Sequence, residues 1–175
     1  MRTTIVWFTI MACVLLQLSC DKDYCDGTSS AIKDGEIWEA DLIVNDDSEF
    51  LGDNCFTIEL NKYSPEGFLR EQFAIANVPQ EEKVFTFSKS VAGDKSNVFA
   101  MCSYATYGSH GDVVTSIYWA ISNDVDNFVE VTSKKRKKIS GIFNATLVLD
   151  SLYRANDPSL PDTVRFKDGV FESDD

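Results

Sequence analysis

Apolar and polar residues alternate with a period of two along most of this chain, and that pattern limits the fold more than any other feature. The stretch 55–63 sets Phe56, Ile58 and Leu60 against Thr57, Glu59 and Asn61. Only an extended strand buries such a set on one side, because successive β-carbons point to opposite faces of a sheet. Similar runs, rich in β-branched and aromatic residues, occupy 36–44, 68–76, 83–91, 97–108, 112–122, 127–133, 138–149 and 162–173. Clusters of Asn, Asp, Ser, Gly and Pro at 45–48, 64–67, 92–95, 108–111 and 123–124 separate them as turns. The short spacing predicts an all-β domain, a single antiparallel β-sandwich or flattened barrel of about nine strands. A short helix at 79–82 is the most that the pattern allows. Residues 150–161 read as an irregular crossing at one end, and no internal repeat or domain boundary is visible.

The first residues differ in kind. Met1 and Arg2 give a positive start, and 5–18 is apolar apart from Thr9 and Gln17. About 14 residues fall short of the about 20 that a bilayer span needs, but they fit the apolar region of a secretory signal. The run stops at Leu18-Ser19-Cys20. This resembles the lipobox of bacterial lipoproteins, whose cysteine becomes the acylated first residue of the mature chain. Gln17 stands where the lipobox usually has Leu. An earlier box at Ile10-Met11-Ala12-Cys13 matches better in form, but it would leave too short an apolar region before it. The expected organisation is a signal peptide at 1–19, a lipidated polar tether at 20–35 starting from Cys20, and a β-domain at 36–175. The remaining reading is an ordinary signal peptide, with Cys20 a plain thiol or half-cystine.

With Cys13 removed and Cys20 acylated, Cys25, Cys55 and Cys102 remain. Cys55 and Cys102 both fall in strand-like runs. A cross-strand disulfide between them and two buried reduced thiols are both open. No CxxC or Cys/His pairing is present, so zinc has no ligand set.

The formal net charge of −12 repels nucleic acid and anionic surfaces, which makes DNA and RNA poor partners. One run goes the other way: Ser133 is followed by five basic residues up to Lys138, expected as a solvated hairpin tip. Chemistry has little to stand on. His110, the only histidine, lies in a Gly-Ser-His-Gly-Asp turn where neighbouring residues do not form a triad. Asp124, Asp126 and Asn127 supply oxygen ligands of the kind Ca²⁺ takes, though hairpin turns favour the same residues. No cofactor is implied. Trp38 is expected as a core anchor of its strand. Asp150-Ser151-Leu152 and Asp162-Thr163-Val164 look like the Bacteroidota O-glycosylation tripeptide, making Ser151 and Thr163 modification candidates.

Three motifs carry a wider resemblance. Ile37-Trp38-Glu39-Ala40-Asp41, Lys138-Ile139-Ser140-Gly141-Ile142-Phe143 and Gly169-Val170-Phe171 resemble the first, a later and the last strand of an uncharacterised family of small Bacteroidota lipoproteins. The resemblance implies an all-β extracytoplasmic domain over 36–173 and no activity. Within the Lys138 motif, Gly141 is expected at a bulge or a close backbone approach. Lys167-Asp168-Gly169 is expected as a turn.

The functional expectation is a lipid-anchored cell-envelope protein of the outer membrane, periplasmic or surface-exposed. It would be a non-catalytic binding or structural module with a protein or glycan partner. Two alternatives stand beside it: a lipocalin-like barrel carrying a small apolar ligand, and an envelope glycoside hydrolase using two carboxylates.

Overall fold

The computed structural model describes residues 24–46, 55–88, 100–122, 124–135 and 138–174. Cys20 and the apolar leader lie outside them. Among the described residues the strands are β1 (Tyr24–Lys33), β2 (Glu36–Asp46), β3 (Cys55–Tyr63), β4 (Leu69–Pro79), β5 (Val84–Thr86), β6 (Met101–Tyr107), β7 (Val114–Ala120), β8 (Phe128–Lys135), β9 (Lys138–Leu149) and β10 (Thr163–Ser173), with one helix, α1 (Ser151–Asn156). All strand pairs are antiparallel, in the order β10-β1-β2-β3-β4-β6-β7-β9-β8-β5, and β10 also pairs with β9. That last pairing closes a barrel whose staves are β1, β2, β3, β4, β6, β7, β9 and β10.

The two extra strands extend staves rather than adding new ones. Ala120 at the end of β7 faces Leu147, and Phe128 at the start of β8 faces Asn144. So β7 and β8 lie end to end along one edge of β9. Likewise β5 pairs with β8 while β6 pairs with β7, and Phe87 bridges Ala100. Closure leaves few bare edges for another chain to pair with.

An eight-stranded barrel is just wide enough for side chains to fill it. Here large rings do so. Phe166 lies 5.1 Å from Trp38, 4.7 Å from Phe73 and 5.3 Å from Tyr104 between ring centroids, and Phe73 lies 4.8 Å from Phe143. Trp38, Phe73, Tyr104, Phe143 and Phe166 are all essentially buried. Trp38 is the core anchor its strand position suggested.

Several expectations change. The presumed tether becomes β1 from Tyr24 onward, and its hairpin to β2 turns on Asp34 and Gly35. Both have positive φ, at 51° and 92°, the two-residue turn whose twist suits a hairpin. No helix forms at 79–82, where β4 ends in bends; instead α1 lies inside the stretch read as irregular. Asp150 caps it by accepting from the Leu152 N–H. Lys167-Asp168-Gly169 is not a turn. Strand β10 runs straight through it, with a bulge against β9 between Phe166 and Gly169. β9 keeps an unbroken phase from Ile139 to Leu149. The irregularities that accommodate it sit on its partners, in β10 and between Val131 and Ser133 of β8. Gly141 marks a close approach, as expected: a β-carbon there would collide with the Glu130 carbonyl oxygen and the Phe171 ring.

The Cys55–Cys102 bridge is also corrected. Cys55 faces Pro79 and Cys102 faces Ile75 on opposite edges of β4. Two inter-strand spacings plus four residues of rise separate them by about 16 Å, far beyond the about 7 Å that a disulfide tolerates. Both are separate buried thiols.

Candidate functional site

Among the described residues, two features could meet a ligand: one closes an end of the barrel, the other lies on its outer wall. The first is a knot of polar side chains at the end marked by the Asp34 turn. Strand alternation points Lys33, Trp38, Glu71 and Tyr104 inward here. Glu71 Oε2 accepts from Lys33 Nζ at 2.7 Å, from Trp38 Nε1 at 2.8 Å and from the Tyr104 hydroxyl at 2.8 Å. Lys33 Nζ also donates to the Tyr104 hydroxyl at 2.5 Å and lies 4.7 Å from that ring's centroid. A depression of about 280 Å³ opens above the knot, lined in part by Asp34, Glu36 and Lys62.

Burial pushes the Glu71 carboxyl toward neutrality, but the hydrogen bonds from Lys33, Tyr104 and Trp38 and the lysine charge prevail and hold it below its ordinary value. Burial first, then the Glu71 charge, drives the Tyr104 hydroxyl far above the usual phenol range. A general acid or base works best when poised near the working pH. These two groups are displaced from neutrality in opposite directions, and their hydrogen bond to one another ties β4 to β6 at this end of the barrel.

The second feature is a trough of about 990 Å³ on the outside of the wall. The register across five staves puts Ser140, Glu172, Thr28, Asp41 and Asn61 in one row. The row is about 19 Å long at about 4.8 Å per strand. A second row runs Ile142, Val170, Ser30 and Glu39, with Tyr63 and Ile37 also lining the trough. Small residues line the wall at its middle, Thr28, Ser29 and Ser30 on β1, and at one end, Ser140 and Gly141 on β9.

Most residues singled out in the sequence lie elsewhere. Asp124, Asp126 and Asn127 share one loop but build no cation cage. Asp124 Oδ1 accepts the Asp126 N–H, and Asn127 is turned into the wall. Its Oδ1 accepts from the Thr146 N–H at 2.7 Å and its Nδ2 donates to the Ile121 carbonyl at 3.1 Å. Thr146 faces the gap between β7 and β8 on the edge of β9, and the Asn127 amide replaces the missing strand there. Among the described residues, no group of three His, Cys, Asp or Glu gathers to hold a metal. His110 is exposed, with Nδ1 3.1 Å from Ser109 Oγ. Ser151 is exposed at the start of α1, and Thr163 is half-buried opposite Val148. The middle of the basic run, 136–137, lies outside the described residues; on either side of it Lys135 faces Lys138, which pairs with Glu172 at 3.3 Å, and Lys134 Nζ donates to Gln80.

Sequence reasoning missed both features. The knot had one available signal, Glu71 at an inward position of a strand whose next inward residues are Phe73 and Ile75. The trough had none, because its residues read as ordinary solvent-facing positions until the register aligns them. No family model, curated protein or solved structure matches this chain.

Proposed function

We propose that this protein is a lipid-anchored module of a bacterial cell envelope that binds its partner through the outside of its barrel and catalyses no reaction. The apolar leader ending at Ser19-Cys20 supports the anchor. Acyl chains on that sulfur would bury in the membrane at about 0.8 kcal/mol per CH₂ and leave the acidic domain in water. The observation that carries the binding half is the occupied axis. Trp38, Phe73, Tyr104, Phe143 and Phe166 fill the space where a carrier of apolar ligands keeps its cavity, while the trough outside stands open.

Hydrolysis of a glycoside has less support. The trough does hold acids, but Glu39, Asp41 and Glu172 are all exposed. A catalytic acid of that class is kept protonated by apolar surroundings.

Metabolic labelling with an alkyne-tagged fatty acid tests the anchor. Wild-type chain should take up label and Cys20→Ala should not; equal labelling of the two overturns the assignment. Titration of the purified protein with a fluorescent fatty acid tests the interior. No saturable binding is expected, and a tight one-to-one complex would restore the carrier reading.

A further inference from the structure

We infer that the outer trough is a binding site for a neutral oligosaccharide. This deepens the proposal that the barrel binds through its outside, and it rests on that reading.

Sugar hydroxyls donate and accept at once, so a sugar site needs both kinds of group along an extended floor. The row supplies them. Glu172 and Asp41 accept on either side of Thr28, and Ser140 and Thr28 can do either. Asn61 is preorganised. It is 3% exposed, and Gln72 Nε2 donates to its Oδ1 at 3.1 Å while the Tyr107 hydroxyl holds Gln72 Oε1 at 3.1 Å. Those bonds fix the Asn61 amide at the end of the polar row. The second row provides the complementary surface, since a pyranose ring also has C–H faces that need apolar cover. Tyr63, 43% exposed, and Val170, 46% exposed, stand beside the polar row for that purpose.

Charge selects within this class. Glu39, Asp41 and Glu172 repel anionic sugars and phosphates. A strongly basic chain is a poorer fit than a neutral one, because Lys62 lines the same trough and Lys138 already faces Glu172. An extended peptide adding as a strand needs an open edge, and in this wall both edges of β9, β10, β1, β2 and β3 are paired.

The test is native affinity electrophoresis of the full-length protein in detergent, through gels containing a soluble glucan, mannan, xylan or galactan, with an oligolysine peptide as a competing probe. At least one neutral polysaccharide should retard the wild-type chain. Tyr63→Ala and Asp41→Asn should each weaken retardation at least tenfold, while Ser103→Ala on β6, four staves from β1, should not. Asp41→Asn is isosteric and exposed, so it decides the matter if Tyr63→Ala fails to fold. Retardation by none of the polysaccharides, equal retardation of wild type and both variants, or binding of oligolysine alone overturns the inference. Such a failure alongside normal fatty-acid labelling at Cys20 removes the sugar and leaves the anchored module standing.

Discussion

The ring of Phe143 on β9 lies so close over Gly169 on β10 that a β-carbon at Gly169 would sit 2.5 Å from the ring's Cζ. The two residues are direct cross-strand partners, and so are Gly141 and Phe171 in the opposite sense. Each strand thus gives a glycine to the other's ring. The exchange lets both phenylalanines lie flat in a barrel too narrow for two side chains at one level.

The two glycines should respond differently to substitution. Gly141→Ala meets the Glu130 carbonyl oxygen, which is backbone, as well as the Phe171 ring. For Gly169→Ala the three nearest atoms all belong to the Phe143 ring. Each should cost about 3 kcal/mol, read as a lower urea midpoint. Adding Phe143→Leu should recover much of the loss for Gly169→Ala, whereas adding Phe171→Leu should recover little for Gly141→Ala. Equal rescue of both would mean that the backbone near Glu130 yields more easily than this geometry implies.

Glu71 links stability to pH. Its carboxyl is held below its ordinary value of 4.5. It therefore adds stability that is fully present above pH 4.5 and is lost as the pH falls through the lower, folded-state value. Lys33 and Glu71 side chains are 23% and 21% exposed, so solvent screens part of the interaction. Glu71→Gln should cost about 2 kcal/mol at pH 7, and the gap from wild type should shrink toward pH 3. A gap constant from pH 7 to pH 3 would show that charge does not hold the knot together.

Asn127 tests whether its loop serves the fold or a metal. Asn127→Ala removes the side-chain partners of the Thr146 N–H and the Ile121 carbonyl. About 2 kcal/mol should be lost, and hydrogen exchange at the Thr146 amide should speed up more than at its β9 neighbours. Millimolar Ca²⁺ should leave the melting temperature unchanged. A rise that Asp124→Ala abolishes would reinstate the cation site.

The thiols should be slow to react. Burial raises the Cys102 thiol well above its ordinary value, and the thiolate is the reactive form. Cys55 and Cys102 should resist a maleimide in the native protein and label readily in urea. Non-reducing peptide mapping should find no Cys55–Cys102 crosslink; recovery of one would contradict the separation across β4.

The β architecture was legible in the sequence because a wall packed on one face prints its alternation directly, as at Phe56, Ile58 and Leu60. β1 escaped because its inward positions include Ser29 and Ala31, which carry no apolar signal. Their smallness has a cause: β1 lies tight against β10, where even a β-carbon at Gly27 would collide with the Glu172 carbonyl oxygen. The Asp34-Gly35 pair between two runs is the available clue to this hairpin. α1 is too short at six residues to show a helical period. The trough was invisible for a different reason. Thr28 and Asp41 share a hairpin but Glu172 comes from the last strand, and only strand register makes the three neighbours.

Joining the first described strand to the last also shapes how the molecule must be made. Ser29 Oγ donates to the Val170 carbonyl at 2.8 Å across 141 positions of sequence. While a ribosome still holds the final segment, the earliest strand has no mate on one side, and β9 is bare along the edge that β10 will cover. Such contacts are slow to form because a long loop must close before they repay its entropy. A message cut short ahead of residue 163 would yield an open, adhesive sheet rather than a smaller cylinder.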